Sequence, residues 1–320
     1  MGSCDSKCAD PGVSEIAAEP AAEADRGVLG ASWLERRHAS LQSLPQRNVQ
    51  RMGWKKDIPD HRDHHVKFKD VEPRAGTRKR SDPSGKLVVD LRPTEDFPIF
   101  NQGNLGSCTA NALAAAFHFT VHKMTMEDHA DFRDFTPSRL FIYYNERYVE
   151  GFVRWDLGGM LRDGIKTMAK VGVCPEKVWS YDDTGDKFKQ EPEWFCYELA
   201  KKCKVVGYAR VAQELSQMKM CIRNGYPFVF GFSVFPSFQT KEVSSTGKMI
   251  MPLPDEEERG TWRFGVLGMG IIRAGLWGDK GYFYMPYAYI CNPDLANDFW
   301  SIEWVQSFDN AGPGWVGVSK

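Results

Sequence analysis

Apolar positions recur at helical spacing between Thr109 and Met124, where Ala110, Leu113, Ala114, Phe117 and Val121 share one face, and this predicts a helix. Its alanine content strengthens the prediction, since alanine loses no side-chain entropy in a helix. Pro137 to Val149 and Met160 to Lys170 read as two more helices. Beyond residue 200 the period shortens. Val205 to Val211 reads as a strand, Leu215 to Arg223 as a helix and Pro227 to Phe232 as a buried strand. Short aromatic strands with turns follow, notably over Gly281-Tyr282-Phe283-Tyr284-Met285. An earlier short strand is predicted over Leu87 to Leu91. Helices therefore dominate residues 105–200 and strands dominate 204–320, an α+β arrangement.

The first 52 residues lack this patterning. Ala17 to Asp25 is biased toward Ala and Glu with no apolar face, which predicts a flexible tail with a short helix near Trp33 to Leu44. Composition changes at Gly53-Trp54, and a basic, proline-containing connector runs from Arg74 to Gly85. The expected organisation is a tail over 1–52 and one domain over 53–320, with a helical lobe at about 86–203 and a β lobe at about 204–320.

Charge and composition narrow the function classes. The chain has 320 residues, 41 basic against 42 acidic, and that balance argues against a binder of nucleic acid. No apolar run reaches the roughly 18 residues of a membrane span, and no basic-then-apolar leader with a cleavage site is visible, so a cytoplasmic protein is expected. The cysteines show no CxxC pair, and no metal or cofactor is expected. Cys174, Cys196, Cys203, Cys221 and Cys291 read as small buried hydrophobes.

The most informative stretch is Asn101-Gln102-Gly103-Asn104-Leu105-Gly106-Ser107-Cys108-Thr109-Ala110-Asn111-Ala112. It sets Cys108 at the start of an apolar helix, where free N–H groups and the dipole favour a thiolate. Gln102, six residues earlier, is placed to aim an amide N–H at the same point, and with the Cys108 N–H it would form an oxyanion hole. On helix position alone, a buried helix-start cysteine without chemistry is the commoner case.

The same run resembles the active-site signature of papain-like cysteine peptidases, in the form of their bacterial-type branch. Trp54 to Asp63, Val89-Asp90-Leu91-Arg92-Pro93 and Pro137 to Asn145 also resemble segments of that family. So do Gly225 to Val229, Trp277 to Phe283 and Leu295 to Trp300, so the likeness spans residues 53–305. Leu157-Gly158-Gly159-Met160 resembles the paired glycines beside the substrate cleft, so Gly158 and Gly159 are implied to hold an extended peptide by main-chain contacts. The resemblance implies a two-lobe fold with a helical lobe, an antiparallel β-barrel-like lobe and a cleft between them. It further implies a Cys108 thioester and a peptide or protein substrate. Leu105 stands where the family often has a disulfide cysteine, which fits a reducing setting.

The family's base and its orienting residue are missing. All seven histidines, His38, His61, His64, His65, His118, His122 and His129, lie at or before residue 129. The histidine segment is expected between 253 and 265 and the asparagine segment before Trp277, yet neither residue type is present there. His118 and His122 lie about 15 and 21 Å along the helix from Cys108. His61, His64 and His65 with Asp60 and Asp63 read as a solvated polar face before they read as a metal site. Three readings stay open: a fold-retaining pseudoenzyme, a frame or splice error over about 255–276, and a base from elsewhere, ranked lowest. Family-like sequence stops abruptly near Pro254 and resumes at Trp277, which favours the frame error. On that reading sheet pairings should be lost and edges exposed. The function classes carried forward are an impaired cysteine peptidase, a non-catalytic peptide-binding or scaffolding protein, and an amidase or transferase on the same fold.

Met1-Gly2-Ser3-Cys4-Asp5-Ser6 fits an N-myristoylation pattern at Gly2, with Cys4 and Cys8 as palmitoylation candidates. Two acyl chains would give stable membrane association where one gives marginal binding.

Overall fold

The computed structural model describes residues 53–70, 78–81, 87–91, 97–126, 135–253, 256, 263–269, 271–273 and 283–306. The tail over 1–52, with its expected helix and its lipidation candidates Gly2, Cys4 and Cys8, lies outside the described residues.

Four short strands come first: β1 (Trp54–Lys55), β2 (His65–Val66), β3 (Arg78–Ser81) and β4 (Leu87–Asp90). Part of the stretch read as a connector is thus a strand, with β3 paired antiparallel to β4. Then come α1 (Cys108–Met126), α2 (Arg139–Glu150), β5 (Gly159–Met160), α3 (Leu161–Lys170) and α4 (Trp194–Ala200). The remainder is β6 (Lys204–Val211), α5 (Leu215–Arg223), β7 (Phe228–Ser233), α6 (Lys241–Thr246), β8 (Arg263–Met269), β9 (Ile271–Arg273), α7 (Tyr287–Ile290) and β10 (Ala296–Gln306).

The predicted apolar face of α1 is the buried one: Ala110, Leu113, Ala114, Phe117 and Val121 are all inaccessible. The helix packs against α2, α3, β8 and β10, so it lies between the helices and the sheet. Local chemistry fixes the ends of α2. The Ser138 hydroxyl accepts from the Phe141 N–H at the start. Gly151, at φ 78°, closes the other end in the left-handed conformation.

The main sheet has the order β2-β6-β10-β7-β8-β9. It is antiparallel except where β2 joins β6 in parallel. Its long central strand, β10, slips register between Asn297 and Trp300, and Asp298 takes φ 59° within that irregularity. The expected loss of sheet pairing over 255–276 does not occur among the described residues. β8 pairs with β7 from Ser233↔Arg263 to Phe228↔Gly268, and β9 returns along β8. The run Phe264, Val266, Leu267, Met269, Ile271, Ile272 is rich enough in strand-forming residues to supply these pairings. Of the segment 281–285 read as a strand, 283–285 are described, and there Tyr284 forms an isolated bridge to Lys248.

Candidate active site

Cys108 is the first residue of α1 and is almost fully buried. Its Sγ accepts a hydrogen bond from the Gly53 N–H at 3.3 Å. The Gly53 carbonyl in turn accepts from the Gly159 N–H at 2.8 Å. From there β1 runs parallel to β5, with Trp54 opposite Gly159 and Lys55 opposite Met160. An extended main chain thus runs past the thiol beside Gly159, and that chain is the protein's own residues 53–55. Only glycine fits the crossing. Gly158 has φ 74°, and a Cβ there would stand 1.6 Å from the Gly53 carbonyl oxygen. A Cβ on Gly53 would stand 1.7 Å from the Gly106 carbonyl oxygen.

The loop before Cys108 is rigidly tied. Buried Gln102 donates through Nε2 to the Leu105 carbonyl at 2.9 Å, so its amide also braces its own turn. The Tyr181 hydroxyl donates to the Gln102 carbonyl at 2.7 Å. Arg139 reaches the Asn101 carbonyl and the Asn111 side chain while pairing with Glu176.

The segment carrying β1 is anchored by charge. The Trp54 indole N–H donates to Asp298 at 3.1 Å and the Asp57 N–H donates to the same oxygen at 2.7 Å. Arg210 bridges Asp57 at 2.8 Å, Asp63 at 2.7 Å and Asp298 at 3.4 Å. Arg162 adds a second guanidinium to Asp63 at 2.6 Å. Burial raises the Asp63 carboxyl, but hydrogen bonds from Arg162 and Arg210 outweigh it and hold the group below its ordinary range. Asp57 is pushed up to about 6 by burial and by the charge of Asp298. These five charged residues were missed in the sequence, because Asp57 and Asp63 sit in a polar run that resembles a solvated connector.

A second buried acid was also missed. Glu146 on α2 is inaccessible, and its Oε1 accepts from the Thr109 hydroxyl at 2.6 Å. Its Oε2 has no hydrogen-bond partner among the described residues. Burial raises its carboxyl well above the ordinary range. It lies directly behind the glycine edge, where a Cβ on Gly159 would meet Oε1 at 2.6 Å.

No described histidine takes the place of the missing base. His118 and His122 flank Phe97, with ring centroids 4.9 and 6.4 Å away. His61, His64 and His65 are exposed. Asp60 pairs with Arg62 and Lys166, whereas Asp63 is buried and paired with Arg162 and Arg210, so the solvated polar face expected of this cluster does not extend to Asp63. His38 and His129 lie outside the described residues, as do 254–255, 257–262, 270 and 274–276 of the expected histidine and asparagine segments. Cys174, Cys196, Cys203, Cys221 and Cys291 are buried free thiols, as their sequence context suggested. No helix among the described residues is long and apolar enough to cross a membrane.

No protein-family model matches the chain. An uncharacterized peptidase C1-like protein of Acanthamoeba polyphaga mimivirus is 38% identical over 283 residues, covering 78% of this chain and 86% of the relative. The crystal structure of xylellain, a cysteine protease from Xylella fastidiosa, superposes with a TM-score of 0.65 at 38% identity, covering 81% of this chain and 98% of that one. Procathepsin B of Trypanosoma congolense shares the fold at 13% identity, with a TM-score of 0.57 over 87% of this chain and 97% of that one.

Proposed function

Because the chain belongs to the papain-like cysteine peptidase family, we propose that it is a cysteine-type peptidase by descent, with Cys108 as nucleophile. The observation that carries this reading is the extended strand that lies across the Cys108 thiol and pairs with Gly159. A peptide substrate would take the place of that strand, held by Gly158 and Gly159 through main-chain hydrogen bonds. Sγ would attack the scissile carbonyl, and Gln102 with the Cys108 N–H would stabilise the oxyanion. Collapse to the thioester expels an amine that needs a proton, and hydrolysis needs an activated water. No histidine follows residue 129 to supply either service, so turnover is impaired. The protein should leave peptide substrates uncut while iodoacetamide still labels Cys108. Robust cleavage that Cys108→Ser abolishes would overturn the impairment.

The second reading is a non-catalytic peptide-binding or scaffolding protein. It is favoured by the absence of any histidine after residue 129 together with the Gly159 edge, which pairs with an extended main chain. Saturable peptide binding that survives Cys108→Ser would support it. In either case the N-terminal pattern leads us to place the protein in the cytoplasm with an acylated Gly2 and acyl candidates at Cys4 and Cys8. A Gly2→Ala variant should then shift from the membrane to the soluble fraction, and equal membrane fractionation would remove the lipid proposal.

A further inference from the structure

The glycines that let three main chains cross at Cys108 are also the residues least able to hold their own conformation. Something outside the backbone must fix them. Gly106, two residues before Cys108, donates its N–H to both carboxylate oxygens of Asp156, at 2.9 and 3.1 Å. The Tyr143 hydroxyl donates to Asp156 Oδ1 and accepts from the Gly158 N–H at 3.2 Å. One carboxylate thus ties the turn that precedes the thiol and, through one phenol, Gly158 of the adjoining glycine edge. Tyr143 is inaccessible on α2 and its ring lies under the Arg147 guanidinium at 4.0 Å, so the phenol cannot drift. A hydrogen bond to a carboxylate is about twice as strong as a neutral one, which suits a lock on a soft backbone.

We propose that Asp156 and Tyr143 are positioning residues that lock the Gly106 turn to Gly158 and so set the distance between the thiol and the peptide-binding edge. Neither touches the reacting atoms. Naming Cys108 the nucleophile rests on the peptidase reading, but the lock itself does not require turnover.

The test uses the full chain and no substrate. Asp156→Ala, Asp156→Asn and Tyr143→Phe are compared with wild type by hydrogen exchange over 103–108 and 158–160. Iodoacetamide labelling of Cys108 is followed alongside, with fully buried Cys221 as the control for general loosening. Asp156→Ala should speed exchange in both segments and Cys108 labelling by about tenfold, the scale of one lost charge-assisted hydrogen bond, while Cys221 stays protected. Tyr143→Phe should release 158–160 and leave 103–108 near wild type. Asp156→Asn keeps an oxygen for Gly106 and should restore most of the protection over 103–108. The proposal is overturned if Asp156→Ala leaves both segments at wild-type exchange, if Cys221 labels in step with Cys108, or if Asp156→Asn behaves as Asp156→Ala. A protein that cuts no peptide passes or fails this test unchanged, so its outcome is separable from that of the peptidase reading.

Discussion

Asp63 receives the guanidinium groups of Arg162 and Arg210, while the Glu146 carboxyl, among the described residues, is hydrogen-bonded by the hydroxyl of Thr109 alone. Both carboxyls are buried. Asp63 is held below its ordinary range and Glu146 is held well above it. Burial penalises the charge in each, and the partner decides the result. The segment carrying β1 is stitched down by paired ions, whereas behind the glycines burial pushes a carboxyl toward its neutral form. A charge on Glu146 would leave Oε2 buried without a hydrogen bond among the described residues, which is the cost that raises its carboxyl.

The comparison breaks most visibly at Arg210, which is shared by Asp57, Asp63 and Asp298. Arg210→Met should cost roughly 3 kcal/mol, because it leaves buried carboxylates short of a cation. Thermal unfolding reads this directly, and an unchanged midpoint would mean the charged side contributes no net stability. A smaller effect is expected at the crossing itself. Gly158→Ala places a Cβ against the Gly53 carbonyl at φ 74°. It should cost about 2 kcal/mol in backbone strain and expel the strand, so Cys108 labels faster. Labelling at the wild-type rate would show that Gly53 to Lys55 do not guard the thiol. The subtlest effect is at Glu146. Its folded-state pKa is raised, so the unfolded chain gives up the proton first, and the stability it contributes is lost as pH rises from about 4. Glu146→Gln keeps an acceptor for Thr109 without a charge to form. The variant should match wild type at pH 4 and unfold at a higher midpoint at pH 8. A difference independent of pH would mean that Glu146 is ionised in the folded protein.

Regular elements were the most legible part of the chain. The helix predicted over Thr109 to Met124 runs from Cys108 to Met126, and Leu215 to Arg223 is a helix as read. These segments carry a sustained period that shows without knowledge of their neighbours. Short helices were missed: α4, α6 and α7 have seven, six and four residues, too few to show a period. The individual strands over 263–273 were not legible for another reason, since their apolar residues run on without the alternation that marks a half-buried strand.

The sequence by itself determined an α+β chain with a cysteine at a helix start, a glycine pair downstream, and no histidine after residue 129. Family membership followed from those residues and their order. Only the tertiary structure decided what lies against the Cys108 thiol. Gly53 reaches Cys108 across 55 positions, and Arg210 reaches Asp57 across 153. No local pattern encodes such distances, because a polar run pairs with a distant guanidinium only once the sheet and helices have brought the two together. For the same reason Asp57 and Asp63 resemble solvent-facing residues in the sequence, yet in the fold they are the buried anchors of the strand that covers the thiol.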